Sequence, residues 1–363
     1  MFETGIRQFR MAMSMVWGRP IDPKNMERLV EDGLKTLKEF GAPGDDVQQL
    51  LEGPLSDPEA RREFQNRAIE RTVDRMARFS PYYQKLFAKH GIKANEITLE
   101  KMPQMPITRK QDFVEHQQAF ICTNAHPFIA TRTTGTTGRP AEIWLSKYES
   151  ELWAGLSTLS GLLRNEIHPE DLMQINISSR ATAAVQTSVT VCRLAGARVR
   201  VLGTIPPEES LDNLIGNGEE APSLLSTYPS YLAMLVKAAQ QRGLTPHDFR
   251  LRRIDCGGEI LSNSLAQAAR EVFGARINDT FGMTEVLPVD FFRNKEGSYQ
   301  AQQSRRRFWL VLVADSHANP QVMQSHGDHG QGITHSGPRI AQNISDTAVS
   351  LEPSIAVFNA DPS

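Results

Sequence analysis

The 363-residue chain is short of several things that would place it quickly. No apolar run approaches the roughly 20 residues needed to cross a bilayer, so no membrane-spanning helix is expected. There are 3 cysteines, Cys122, Cys192 and Cys256, widely spaced and without a CxxC pair. That pattern argues against a disulfide framework and for buried free thiols in a reducing compartment. Charge of one sign is also missing: 40 Lys and Arg stand against 42 Asp and Glu, a net charge of -2. Neither nucleic acid nor an anionic membrane is therefore an expected partner. The Arg305-Arg306-Arg307 cluster reads as a solvated patch. The opening Met-Phe-Glu-Thr-Gly has no basic region followed by an apolar one, so a signal peptide is not expected and a cytoplasmic location is.

What is present is ordinary globular material: 40% hydrophobic and 23% charged residues. Met26, Leu29, Val30, Leu34, Leu37 and Phe40 recur at helical spacing, until Gly41-Ala42-Pro43-Gly44 stops the run. A second helix is expected after Asp57-Pro58, with Phe64, Ala68, Ile69, Val73 and Met76 on its buried face. Pro81 should end it, because proline disfavours helix in the residue before it. From about residue 128 the pattern alternates. Short apolar runs at 128–131, 143–145, 172–177, 199–202, 224–227, 254–256 and 277–280 read as strands. Helical segments at 147–164, 185–195, 229–241 and 262–273 separate several of them. Ser146-Lys-Tyr-Glu149 is a capping-box pattern, and Gly196 and Gly274 fall where two helices should stop.

The fold class implied is α/β, with mostly parallel sheets covered by helices. Its expected parts are a helical N-terminal extension over 1–60, a core over 61–292 and an aberrant, disordered tail over 293–363. Four of the 9 histidines, His317, His326, His329 and His335, lie in that tail, where no period persists.

Two segments carry chemistry. Thr133-Thr134-Gly135-Thr136-Thr137-Gly138-Arg139-Pro140 lies between the strands expected at 128–131 and 143–145. Its glycines let the backbone turn tightly and bare its N–H groups, while threonine hydroxyls and one cation add to an anion site suited to phosphate oxygens. It lacks the Gly-Lys-Ser/Thr ending of a P-loop, and a flexible hairpin is the plain alternative. The other segment, Asp279-Thr280-Phe281-Gly282-Met283-Thr284-Glu285, leaves a strand at the carboxyl edge of the sheet, where open α/β sheets place ligands. Phe281 offers a face to a base, Thr284 a hydroxyl, and Glu285 a hard oxygen ligand for phosphate-bound Mg²⁺. A capped turn with a surface glutamate is the alternative here. Gly257-Gly258-Glu259 follows the preceding strand and would deliver a neighbouring loop to the same edge. Of the remaining candidates, Cys256 reads as core and His326-Gly-Asp-His329 as a solvated loop with ligand-like spacing.

TTGTTGRP at 133–140, GGE at 257–259 and FGMTE at 281–285 together resemble the adenylate-forming (AMP-binding) superfamily. The chain is most similar to its phenylacetate–coenzyme A ligase branch. FSPYYQKLFAKHGI at 79–92, MPITRKQDF at 105–113, LAGARVRVLG at 194–203 and STYPSYL at 226–232 follow that branch in order. The resemblance implies that Thr133 to Gly138 wrap the β- and γ-phosphates of ATP and that Arg139 stands for a usual lysine. It implies that Gly257, Gly258 and Glu259 line the adenine and acyl pockets, and that Phe281 and Gly282 sit beside the adenine. Thr284 would contact the α-phosphate and Glu285 would hold Mg²⁺. The implied reaction joins a carboxylic acid, aryl or acyl, to AMP and then to coenzyme A, in a protein of a branch that commonly forms homodimers. The segment where relatives shape the acyl pocket, 176–181 here, is poor in aromatics.

The family pattern breaks near residue 291. Over 290–363 there is no Tyr/Phe-x-Thr-Gly-Asp segment, no Gly-Arg-x-x-Asp segment and no lysine after Lys295. A truncated or frameshifted product is therefore expected, and the alternative function is a catalytically incomplete nucleotide- or adenylate-binding remnant.

Overall fold

The computed structural model describes residues 23–40, 58–132, 141–178, 181–282, 290–293 and 299–301. Of the tail expected to be irregular, 293–363, the stretches 294–298 and 302–363, with the histidines and the arginine cluster, lie outside them. Helix α1 spans Pro23–Phe40, α2 Pro58–Phe79 and α3 Pro81–His90. Pro81 ends α2 as expected and also opens α3. Ser80 is extended (φ -95°, ψ 112°) and Pro81 takes the first helical turn, where its missing N–H costs nothing. Helix α4, Lys110–Phe120, was not legible in the sequence; it is kinked at His116 and buries Phe113 and Phe120. Ile69, Val73 and Met76 of α2 are buried as expected, joining Tyr83, Phe87 and Phe120 in one cluster. Tyr82 stacks on Phe120 with ring centroids 3.9 Å apart.

Strands β1 (Pro127–Arg132) and β2 (Glu142–Ser146) form a separate antiparallel pair rather than joining the main sheet. The connection between them is short, so the chain reverses as a hairpin instead of crossing over. Ser146 caps α5 (Lys147–Leu163): its hydroxyl accepts from the Glu149 N–H at 3.1 Å, and Glu149 Oε2 accepts from the Ser146 N–H at 2.7 Å. The capping box read from the sequence is thus present.

The main sheet uses β3 (Leu172–Asn176), β4 (Arg198–Val201), β5 (Leu224–Thr227), β6 (Arg253–Gly257) and β7 (Arg276–Gly282). These five are parallel, in the order β4-β3-β5-β6-β7. Antiparallel β8 (Asp290–Arg293) and β9 (Tyr299–Ala301) extend the β7 edge. Helices α6 (Thr182–Ala195), α7 (Pro207–Leu214), α8 (Pro229–Gln241) and α9 (Asn263–Phe273) are the crossovers. Gly196 and Gly274 end α6 and α9 in the left-handed conformation (φ 76° and 66°).

Both sheet faces are covered. On one, Leu225, Ile254, Cys256 and Ile277 pack with Leu211, Leu232, Leu235, Val272 and Phe273 from α7, α8 and α9. On the other, Met173, Ile175 and Leu224 pack with Cys192 of α6, Leu162 of α5 and Val30 of α1. The α/β class stands, with α1 contributing to the covering layer. Among the described residues no helix is long and apolar enough to cross a membrane.

Candidate functional site

Parallel strands deliver their carboxyl ends to one edge, and here four of them end level. Asn176 of β3 pairs with Thr227 of β5, Thr227 with Cys256 of β6, and Cys256 with Asp279 of β7. Two side chains brace that edge: the Thr227 hydroxyl donates to the Asn176 carbonyl at 3.3 Å and the Thr280 hydroxyl to the Cys256 carbonyl at 3.0 Å. At the opposite edge Asp171 is clasped by Arg252, by the Ser223 hydroxyl at 2.6 Å and by the His168 N–H at 2.7 Å. The strands are held at both ends, so the turns that leave the carboxyl edge start from fixed points.

The turn after β6 is the best-defined part of the predicted site. Gly257 has no room for a side chain, because a Cβ there would lie 2.5 Å from Thr280 Oγ1 and 2.9 Å from the Thr280 carbonyl oxygen. Gly258 has φ +81°, and a Cβ there would stand 3.2 Å from the Tyr228 ring. Glycine is required twice for different reasons: close strand approach at 257, left-handed backbone at 258. Between them they leave a stretch of bare backbone at the sheet edge, walled by Tyr228. Glu259 is exposed but turned onto Ser230: its Oε2 accepts from the Ser230 N–H at 2.8 Å and its Oε1 from the Ser230 hydroxyl at 2.9 Å.

Tyr228, directly after β5, spans to the end of β3. Burial raises its phenol above the ordinary tyrosine range, the Ser178 N–H directed to its hydroxyl opposes that rise, and the Glu259 carboxylate adds to it. The phenol therefore stays protonated at neutral pH. Sequence reasoning missed both Tyr228 and Ser230 as site residues. Their signal was available in Tyr-Pro-Ser immediately after a strand, in a chain whose other strand ends carry the motif loops.

The other predicted residues divide by location. Phe281 and Gly282 are not in a loop as expected but complete β7, since β8 pairs with them: Phe281 with Phe291 and Gly282 with Asp290. Thr284 and Glu285 lie outside the described residues, as do Thr133, Thr134, Gly135, Thr136, Thr137, Gly138 and Arg139. The base of the hairpin carrying that glycine-threonine segment is described. Arg132 and Glu142 face each other in register and pair at 2.7 Å. Leu145 of β2 and Ile129 of β1 pack with Trp153 and with Ala183 near the start of α6. The hairpin body is thereby anchored beside the element that leaves the carboxyl end of β3. Among the described residues no group of three or more His, Cys, Asp or Glu side chains could hold a metal ion.

Cys256 is fully buried among core side chains, where burial and the neighbouring Asp279, Asp255 and Glu259 carboxylates hold its thiol protonated. Cys192 is likewise buried, its thiol pushed up to about 12. Neither is a nucleophile. Among the described residues this edge offers exposed backbone to a flat or anionic group.

The AMP-binding enzyme family matches residues 69–308, well over half of the chain and inclusive of all three motif segments. The chain belongs to the AMP-binding enzyme family. A search of curated proteins found no relative by sequence. Solved structures of similar fold include an open conformation of 2-hydroxyisobutyryl-CoA ligase in complex with 2-HIB-AMP and CoA. The TM-score is 0.57 at 19% identity, covering 68% of this chain and 56% of that one. The same ligase in its postadenylation state with 2-HIB-AMP gives 0.59 at 18% identity, covering 69% and 55%. This AMP-binding chain thus spans little more than half the length of the ligase whose core fold it shares.

Proposed function

We propose that the chain binds ATP and a carboxylic acid at the carboxyl edge of β5, β6 and β7 and joins them as an acyl-adenylate, with coenzyme A as the acceptor that follows. The observation that carries this reading is the bare Gly257–Gly258 backbone beside Tyr228, at the ligand-binding edge of a parallel sheet in an AMP-binding chain. Support comes from the similarity in fold to a ligase seen with an acyl-AMP and CoA.

A carboxylic acid with a pKa near ~4 is ionised at neutral pH, so its attack on the α-phosphate needs no general base. It needs two anions aligned and phosphate charge neutralised. The side-chain-free peptides at 257–258 admit the edge of a purine closely, and Tyr228 walls the space that the acid would enter. The glycine-threonine segment, with Arg139, is assigned to the β- and γ-phosphates and Thr284 to the α-phosphate. Glu285 would hold the Mg²⁺ that accompanies ATP, and the ion would supply further neutralisation there. An aromatic wall also suits an aryl acid. The segment 176–181 is poor in aromatics, but Tyr228 brings one to Ser178 from another strand.

A second reading, nucleotide or adenylate binding without turnover, is favoured by the absence from 290–363 of the segment that supplies the family's ribose-binding aspartate. Carboxylate-dependent pyrophosphate release from ATP across a panel of aryl and alkyl acids separates the two. Release with any acid supports ligation; none across the panel, with ATP still bound, leaves binding alone.

A further inference from the structure

The Glu259 carboxylate has both oxygens committed within its own fold. Helix α8 begins at Pro229, and Tyr228 before it provides no side-chain cap. The Ser230 N–H, one of the donors every helix leaves unsatisfied at its start, is met by Glu259 from 29 residues downstream. The Ser230 hydroxyl gives the second bond to the other oxygen. The Tyr228 ring, from the same junction, lies against Gly258. The turn of two glycines is therefore held between a ring on one residue and a serine two positions further along. Two adjacent glycines have the widest conformational choice of any dipeptide, so something outside them must select the observed turn.

Resting on the function proposed above, we propose that Glu259 is a positioning residue. It acts through Ser230 to fix the Gly257–Gly258 backbone in the shape that receives the nucleotide, and it touches neither nucleotide nor metal. The Ser230–Glu259 clasp couples the start of α8 to the β6 turn.

Calorimetric titration of the full chain with ATP, across Glu259→Ala, Glu259→Gln, Ser230→Ala and the Glu259→Ala/Ser230→Ala double variant, tests this. Glutamine keeps an oxygen for the Ser230 N–H and can donate to the Ser230 hydroxyl. The clasp therefore predicts near-wild-type affinity for Glu259→Gln and a loss of about tenfold for Glu259→Ala, with a few-fold loss for Ser230→Ala. The double variant should be no worse than Glu259→Ala, since both residues act as one unit. A charge-dependent contact to nucleotide or metal would fail as Gln and Ala alike, and any direct contact would ignore Ser230→Ala; either result would overturn the proposal. So would losses that merely follow the fraction unfolded at the titration temperature. Amide hydrogen exchange at Ser230, whose N–H the clasp engages, reads the clasp without nucleotide. Exchange about tenfold faster in Glu259→Ala than in wild type supports it, and unchanged exchange sinks it even if the wild type binds no ATP.

Discussion

Gly257 and Thr280 face each other across β6 and β7 so closely that the smallest side chain at 257 would stand 2.5 Å from the threonine hydroxyl. That hydroxyl is already engaged with the Cys256 carbonyl at 3.0 Å, so it cannot simply rotate away. Gly257→Ala must push the two strand ends apart at the edge that is proposed to receive the nucleotide. The expected result is a loss of ATP affinity of an order of magnitude or more, with destabilisation of about 1–3 kcal/mol. Calorimetric titration and urea unfolding measure the two effects. Thr280→Ser, which removes only a methyl, should leave both close to wild type.

The pairing of Asp171 with Arg252 predicts an acid-sensitive fold. Burial alone would raise the Asp171 carboxyl, but hydrogen bonds from Arg252 and Ser223, the Arg252 charge and the His168 N–H outweigh it and hold the group below its ordinary 3.8. A depressed folded value means that the unfolded chain takes up the proton first. The stabilisation is complete above the ordinary value and is lost as pH falls through the lower, folded one. Asp171→Asn should cost on the order of 2 kcal/mol at neutral pH and flatten the acid limb of stability. Urea midpoints from neutral pH down into that range, for wild type and variant, check both.

Ser146→Ala should destabilise the chain by about 1 kcal/mol through loss of the α5 cap. Because Ser146 and Glu149 act reciprocally, Glu149→Ala on that background should add less than it costs alone. Thermal unfolding of the single and double variants decides.

How far the sequence could be read follows from what each signal depends on. The Ser146 cap and the glycine stops at 196 and 274 are local chemistry and were legible. So were the apolar strands, because both faces of a parallel sheet are buried. Helix α4 hid because its buried positions are few and His116 breaks its period. The β1–β2 hairpin was legible as two strands but not as a separate sheet, since its partner is chosen by a tertiary contact. The extension of β7 through Gly282 depends on β8, whose register no local pattern fixes. At the site, Gly257 and Gly258 stood out as residue types. Tyr228 and Ser230 became site residues only when β5 and β6 lay side by side.

Whether this chain holds a nucleotide through its motif segments is decided by titrating ATP and a non-hydrolysable phenylacetyl-adenylate analogue into wild type, Gly135→Val and Glu285→Ala. Both ligands should bind wild type saturably. Each variant should lose about tenfold or more in ATP affinity, with thermal unfolding little changed. No saturable binding of either ligand to a folded wild type would contradict the proposed function, as would variants that bind as the wild type does.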